Sequence, residues 1–346
     1  MLAAIMYGIE DVRIQEVDKP KINDNEILVK VKSAAICGTD VRIITSGRGD
    51  IDREHPRILG HELSGIIEKV GKNVSCYSEG MRVAIAPNMG CGICNLCIKG
   101  DFHLCSDYKA LGINLDGGFA EYVKIPEQAI RQGNIIELPD NVSFEEAAIN
   151  EALSCAYNGF LRCEIKPGDS VLIIGAGPIG IMHAKLAKMA GASKVIMNDL
   201  SKDRLDICKK IDSSFITTNT DNLKEYIMDL TDNEGVDVCI TACPSPQAQA
   251  LSLELVGLNG TINFFGGLPA SREQITINSN LIHYKQLKVT GTTRANNFHF
   301  RKTLSFISSG ILDVKALVTG RYQLKDFNKA LDAAKRGDGI KNVIVF

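Results

Sequence analysis

The 346-residue chain has almost no charge surplus: 39 lysines and arginines against 41 acids leave a net charge of −2. Without a basic excess there is no electrostatic footprint for nucleic acid or for an anionic membrane surface. Long apolar runs are missing as well. The longest, residues 171–190, is broken by glycines, His183 and Lys185, so no membrane span is expected. The opening Met1-Leu2-Ala3-Ala4-Ile5-Met6 is apolar but lacks a basic leader and soon meets Glu10 and Asp11, so no secretory signal is expected. No internal repeat or low-complexity segment occurs. What is present is cysteine: eleven, an odd number, four of them between Cys91 and Cys105. In a chain with no expected signal this favours metal ligation over disulfides, and a reducing cytoplasm. Hydrophobic content of 45% and charged content of 23% suit a globular protein long enough for two domains.

The most informative stretch is Val171–Asp199. Val171–Ile174 suits a parallel strand buried on both faces. Gly175, Gly177 and Gly180 follow at G-x-G-x-x-G spacing, with Pro178 and Ile179 between the last two, and Ile181–Ala190 reads as helix. The first glycine permits a tight turn, the second lets a pyrophosphate approach the backbone, and the third lets helix pack on strand. A pyrophosphate would sit at the helix N-terminus. A second strand, Val195–Asn198, ends at Asp199, placed to accept the ribose 2′-OH of NAD and to repel the 2′-phosphate of NADP. Further strands at Phe215–Thr217, Val236–Ile240, Thr261–Phe265 and Leu287–Thr290, with helices at Asn222–Thr231 and Pro246–Gly257, bring the count to six. That is the number in a doubly wound Rossmann sheet.

Upstream the pattern is different. Ile27, Val29 and Val31 alternate with Glu26, Lys30 and Lys32, with Leu28 the exception, which is strand periodicity. Cys37 and His61 are 24 residues apart and are good zinc ligands; a catalytic site needs about three protein ligands and an open position. Cys91, Cys94, Cys97 and Cys105 stand at C-x2-C-x2-C-x7-C spacing, suited to one closed tetrahedral zinc. An iron–sulfur cluster is the alternative, but ferredoxins place x3 before the last cysteine and proline after it, unlike the x7 and Ser106 found here. Ser143 caps a helix that carries Glu151, an acid in an apolar run that is costly to bury unless paired or metal-bound. Phe298–Ser309 and Leu324–Arg336 read as amphipathic helices and Asn342–Phe346 as a closing strand.

Gly60-His61-Glu62-x-x-Gly65 with Gly71 and Val74, together with Cys37-Gly38-Thr39-Asp40, resembles the zinc signature of the medium-chain alcohol and polyol dehydrogenases. The resemblance runs from about residue 3 to the C-terminus. It implies a discontinuous GroES-like, mostly β catalytic domain (residues 1–150 and 293–346) and a Rossmann NAD-binding domain (151–292). It implies two zinc ions per chain: a catalytic one on Cys37 and His61 with Glu62 or Glu151, and a structural one on the four clustered cysteines. Glu151 resembles the glutamate of the polyol branch, where ordinary alcohol dehydrogenases have cysteine; Cys155 is a weaker candidate. Thr39 resembles the family's hydroxyl relay, and Arg42 replaces a histidine that passes the proton to solvent. Arg204, in the Asp199-Leu-Ser-x-x-Arg pattern, resembles an arginine over the adenosine, and Arg294 one beside a polyol substrate, although Ala295 replaces the tyrosine next to it. The implied function is an NAD-dependent oxidoreductase acting on a small secondary alcohol, most plainly a polyol. L-threonine 3-dehydrogenase, a butanediol dehydrogenase, and a silent NAD-binding protein are the alternatives. The family is dimeric or tetrameric, so a homodimer or homotetramer is expected.

Overall fold

β-Branched and small residues dominate Ile27–Ala35, and the strand they form has partners on both sides. The computed structural model describes residues 1–346, which divide into two compact units: Met1–Ser154 with Ala295–Phe346, and Cys155–Arg294.

In the first unit a seven-stranded sheet runs in the order Ile135–Glu137, Arg82–Ile85, Glu62–Val70, Ile27–Ala35, Lys341–Val345, Val318–Gln323. Tyr122–Ile125 also pairs with Ile27–Ala35. Leu2–Gly8, Asp11–Glu16 and Arg57–Ile58 make a smaller antiparallel sheet. Leu28 breaks the alternation because it is buried along with Ile27, Val29 and Val31, so this strand has protein on both faces at that point. Phe119 and Phe327, with ring centroids 4.8 Å apart, join sheet and C-terminal helix Phe327–Arg336 in one core. Burying side chains of this size stabilises by about 1.5–3 kcal/mol each.

The second unit is a six-stranded parallel sheet. Ser170–Ile174 is central, flanked on one side by Lys194–Asn198 and then Ile216–Thr218. On the other side lie Val236–Thr241, Val256–Phe264 and Lys288–Gly291. Numbered along this unit the order is 3-2-1-4-5-6, the doubly wound arrangement that places a ligand crevice at the carboxyl ends of the strands. All six strands anticipated from the sequence are present; the fifth starts at Val256 rather than Thr261, because the helix expected over Pro246–Gly257 ends at Leu255 and the backbone is extended from Val256. The helix after the first strand starts earlier than expected, at Pro178, because Gly177 caps it and proline suits a first turn that needs no N–H partner. Two helices, Lys202–Ile211 and Ser279–Lys285, were not anticipated.

No helix is long and apolar enough to cross a membrane.

Candidate functional site

The first centre is assembled by strand register. Ala35, at the end of one strand, lies opposite Glu62, at the start of the next, and Val343 of a third strand lies opposite Ala35. Cys37 follows two residues after the first strand and His61 directly precedes the second, so both project from the same end of the sheet. Gly60 makes the corner with φ +95°; a Cβ there would stand 2.8 Å from the Phe119 ring. Cys37 opens the helix Gly38–Ser46, and Asp40 in its first turn accepts the Cys37 N–H at 2.9 Å through Oδ2.

Ligand atoms of Cys37, His61 and Glu62 all lie within 4.8 Å of one another. His61 Nδ1 is 3.3 Å from Asp40 Oδ1, and neither of these buried atoms has a better aligned partner. Asp40 therefore takes the Nδ1 side of the ring and leaves Nε2 for a metal, the arrangement in which a carboxylate fixes a ligating histidine's tautomer. Burial works against a charged His61, but the Asp40 and Cys37 charges outweigh it and hold its pKa well above the usual histidine range. Glu62 is fully buried and faces Lys341, whose Nζ is 2.6 Å from Oε1 and 2.5 Å from Oε2. Burial again opposes the charge on Lys341, and Glu62, Cys37 and Glu151 together raise its pKa. Glu151 is buried on the helix Phe144–Cys163 and stands outside the close trio, near enough for its charge to act on Lys341. Thr39 is half-buried and Arg42 exposed, both on the helix that Cys37 caps. A thiol, an imidazole nitrogen and a carboxylate in reach of one point form a donor set that fits zinc.

The four clustered cysteines meet in the second centre, again within 4.8 Å of one another. Cys91 and Cys97 sulfurs are 3.9 Å apart, and Cys94 and Cys105 sulfurs 3.8 Å. A tetrahedron with zinc–sulfur bonds of about 2.3 Å has edges of about 3.8 Å. These thiols fit that ion. Gly90 permits the approach, since a Cβ there would lie 2.6 Å from Cys97 Sγ. The N–H groups of Ile93 and Cys94 pull Cys91 down to about 7, while burial pushes Cys97 up to about 12. Gln128 and Gln132 both donate to the Gly90 carbonyl, tying the lobe to the helix Glu127–Arg131 and its C-cap.

In the second unit, Gly175 turns with φ +113°, and a Cβ on Gly180 would lie 1.8 Å from the Gly175 carbonyl oxygen. A Cβ on Gly177 would meet nothing within 4 Å, so there is open space beside Gly177 at the N-terminus of the helix that begins Pro178-Ile179, where a pyrophosphate can sit. Asp199 accepts the N–H of Ala176 at 2.7 Å and that of Ser201 at 2.8 Å, which locks its carboxylate beside the glycine turn. Arg204 approaches it at 3.9 Å. Arg294 is exposed, at the end of this unit, with a left-handed backbone.

No motif in the sequence points to Lys341, and Asp40 stands out there only within Cys37-Gly38-Thr39-Asp40. A lysine at the head of the closing strand, just before the apolar Val343-Ile344-Val345, was the available signal for the first.

A Rossmann sheet, a closed four-cysteine centre and a second Cys/His/Glu centre together define a metal-dependent oxidoreductase. Comparison with known proteins gives the family: residues 23–140 match the alcohol dehydrogenase GroES-like domain and residues 178–309 the zinc-binding dehydrogenase domain. The chain belongs to the zinc-binding medium-chain alcohol dehydrogenase family. It is 35% identical to a sorbitol dehydrogenase of Bacillus subtilis, covering 96% of this chain and 93% of that one. It is 32% identical to an L-threonine 3-dehydrogenase of Bacillus velezensis, covering 96% and 94%. Among solved structures, an alcohol dehydrogenase from Escherichia coli in complex with NADH superposes with a TM-score of 0.90 at 26% identity, covering 100% and 99%. The 2R,3R-butanediol dehydrogenase of Bacillus subtilis superposes with a TM-score of 0.89 at 26% identity, with the same coverage.

Proposed function

We propose that the protein is an NAD-dependent dehydrogenase of secondary alcohols, with polyols as its substrate class. The observation that carries this reading is the trio of half-buried Cys37 with buried His61 and Glu62, with Glu151 near enough to act on Lys341 beside it, in a chain about one-third identical to a sorbitol dehydrogenase. Sorbitol, threonine and 2,3-butanediol, named by the similar proteins, all carry a hydroxyl on an internal carbon.

Zinc on Cys37 and His61, with Glu62 or Glu151 as carboxylate donor, supplies Lewis acidity to an alcohol oxygen, and NAD supplies the hydride acceptor. The chain's own residues do the rest. Asp40 orients His61. The Thr39 hydroxyl accepts the substrate proton and passes it on. A guanidinium has donors and no acceptor, so Arg42 acts as a fixed charge and not as a base. Asp199 receives the adenosine ribose hydroxyls, Arg204 lies over the adenosine, and Arg294 donates to substrate oxygens. The four-cysteine zinc is structural. Residues 1–150 with 293–346 form the zinc-binding domain, and 151–292 the cofactor domain. The exposed edge strand Lys288–Gly291, with Tyr284 and Val289 exposed near it, supports a homodimer or homotetramer. The eleven cysteines, none in a disulfide, support a cytoplasmic setting.

Sorbitol, xylitol, 2,3-butanediol and L-threonine, each offered with NAD and with NADP and followed by the absorbance of the reduced cofactor, test this reading. The expected result is highest kcat/KM for a polyol with NAD. Threonine as the preferred substrate would overturn the polyol assignment. No turnover of any alcohol by zinc-loaded protein would favour a silent NAD-binding protein, against which the intact trio speaks.

A further inference from the structure

Arg294 holds φ +57°, a backbone state that side-chain-bearing residues disfavour. Such a residue persists where its surroundings over-determine it. Here the surroundings are Asn158, from the helix Phe144–Cys163. Its Nδ2 donates to the Arg294 carbonyl at 2.9 Å and to the Thr293 carbonyl at 3.3 Å. Asn158 itself is only 4% exposed, and its amide nitrogen reaches the carbonyls of two consecutive residues. The side chain of Arg294 is exposed, whereas the next residue, Ala295, is buried. A left-handed residue lets the chain turn at that point and sends the Arg294 Cβ in a direction that an extended backbone would not.

We propose that Asn158 is a positioning residue for the dehydrogenase reaction: it clamps the Thr293–Arg294 backbone and thereby fixes where the Arg294 guanidinium meets the hydroxyl oxygens of a polyol. The inference rests on the reading of Arg294 as a substrate-binding residue. A guanidinium offers five donors and no acceptor, so it suits a substrate rich in oxygen acceptors and depends on its aim. Asn158 touches neither substrate nor cofactor in this scheme.

The test compares Asn158→Ala, Asn158→Asp, Arg294→Ala and the double variant Asn158→Ala/Arg294→Ala, all zinc-loaded. The substrate is the polyol with the highest kcat/KM in the panel above. Asn158→Asp keeps the shape but turns carboxylate oxygens toward the two carbonyls. Trypsin reads the clamp without any substrate, because cleavage after Arg294 needs a loosened backbone and yields residues 1–294 and 295–346. The expected result is faster cleavage at Arg294 in both Asn158 variants. The polyol KM should rise on the order of tenfold, with kcat changed far less and the KM for NAD unchanged. The double variant should be no worse than Arg294→Ala alone. If Arg294→Ala raises the polyol KM while both Asn158 variants leave it unchanged, the positioning role is overturned. A double variant clearly worse than Arg294→Ala overturns it too, since Asn158 would then act by another route. If Arg294→Ala itself leaves the polyol KM unchanged, the substrate role of Arg294 fails and the proposal with it; the trypsin rates then show separately whether Asn158 grips the backbone.

Discussion

Lys341 is 2% exposed, and its ammonium lies against a carboxylate that is wholly buried. Two charges taken out of water together are close to neutral for stability, but removing one leaves the other unpaired at a cost of about 3–5 kcal/mol. Lys341→Met should therefore destabilise the protein by about that amount in urea unfolding. Glu62→Gln added to Lys341→Met should restore much of the loss, because the orphaned charge goes with it. Equal stability of wild type and Lys341→Met would show that water reaches Glu62. The motif-bearing residues Cys37, His61 and Glu62 were legible because glycines and a fixed spacing surround them. Lys341 was not, because its partner is 279 positions away and only strand pairing brings them together. Asp199 was legible for a local reason: it ends a strand one βα unit after the glycine turn. Its bond to the Ala176 N–H, which ties this carboxylate to that turn, is a tertiary fact no spacing announces.

At the scale of elements, the helix Pro178–Met189 hides a titratable group. His183 is fully buried, edge-on to Phe265 at 4.8 Å, and neither ring nitrogen has a hydrogen-bond partner. Burial lowers its pKa to about 3. Its folded pKa lies below the unfolded value near 6.5, so between those limits the unfolded chain binds a proton that the folded chain refuses. The fold therefore loses stability as pH falls below about 6.5, at about 1.4 kcal/mol per pH unit. His183→Leu, similar in size and without polar atoms, should remove that dependence. Its stability relative to wild type should improve by about 2 kcal/mol between pH 7 and pH 5, measured by urea unfolding at each pH. A gain that is the same at both values would mean that His183 is solvated or already paired. Periodicity made most of this unit's strands and helices readable in the sequence, since Ser170–Ile174, Lys194–Asn198 and Val236–Thr241 are short, largely apolar runs between turn residues. It missed Lys202–Ile211, which buries only Leu205 and Cys208 among charged neighbours. It missed Ser279–Lys285, which buries nothing. With so little apolar face, neither helix prints a stripe; Ser201, whose side chain accepts the Arg204 N–H, was the local sign of the first.

For the whole molecule, the question is what holds each part together. The lobe between Cys91 and Cys105 contains a four-residue helix with no buried residue and a three-residue 3-10 turn. Ile93 and Ile98 are 83% and 73% exposed, so the lobe's apolar side chains do not build it a core. A segment so poor in buried area needs a metal or cross-links to fold, and its four sulfurs stand at zinc spacing. Metal binding energy then becomes folding energy for the unit that contains the lobe, whereas the parallel sheet of Cys155–Arg294 has its own apolar core around Leu172, Ile196 and Ile262. Metal analysis of the purified protein should give close to two zinc ions per chain, and Cys105→Ser close to one. In calorimetry, Cys105→Ser or a chelator should lower the transition of the zinc-bearing unit, and NADH should raise the transition of the parallel-sheet unit. Activity per folded, zinc-loaded molecule of Cys105→Ser should fall less than its thermal stability does, because the four-cysteine ion offers no open position for a substrate. Iron in place of zinc, or a wild-type protein carrying one zinc with its four lobe cysteines freely alkylated, would refute the assignment of that centre while leaving the Cys37, His61 and Glu62 centre to stand on its own geometry.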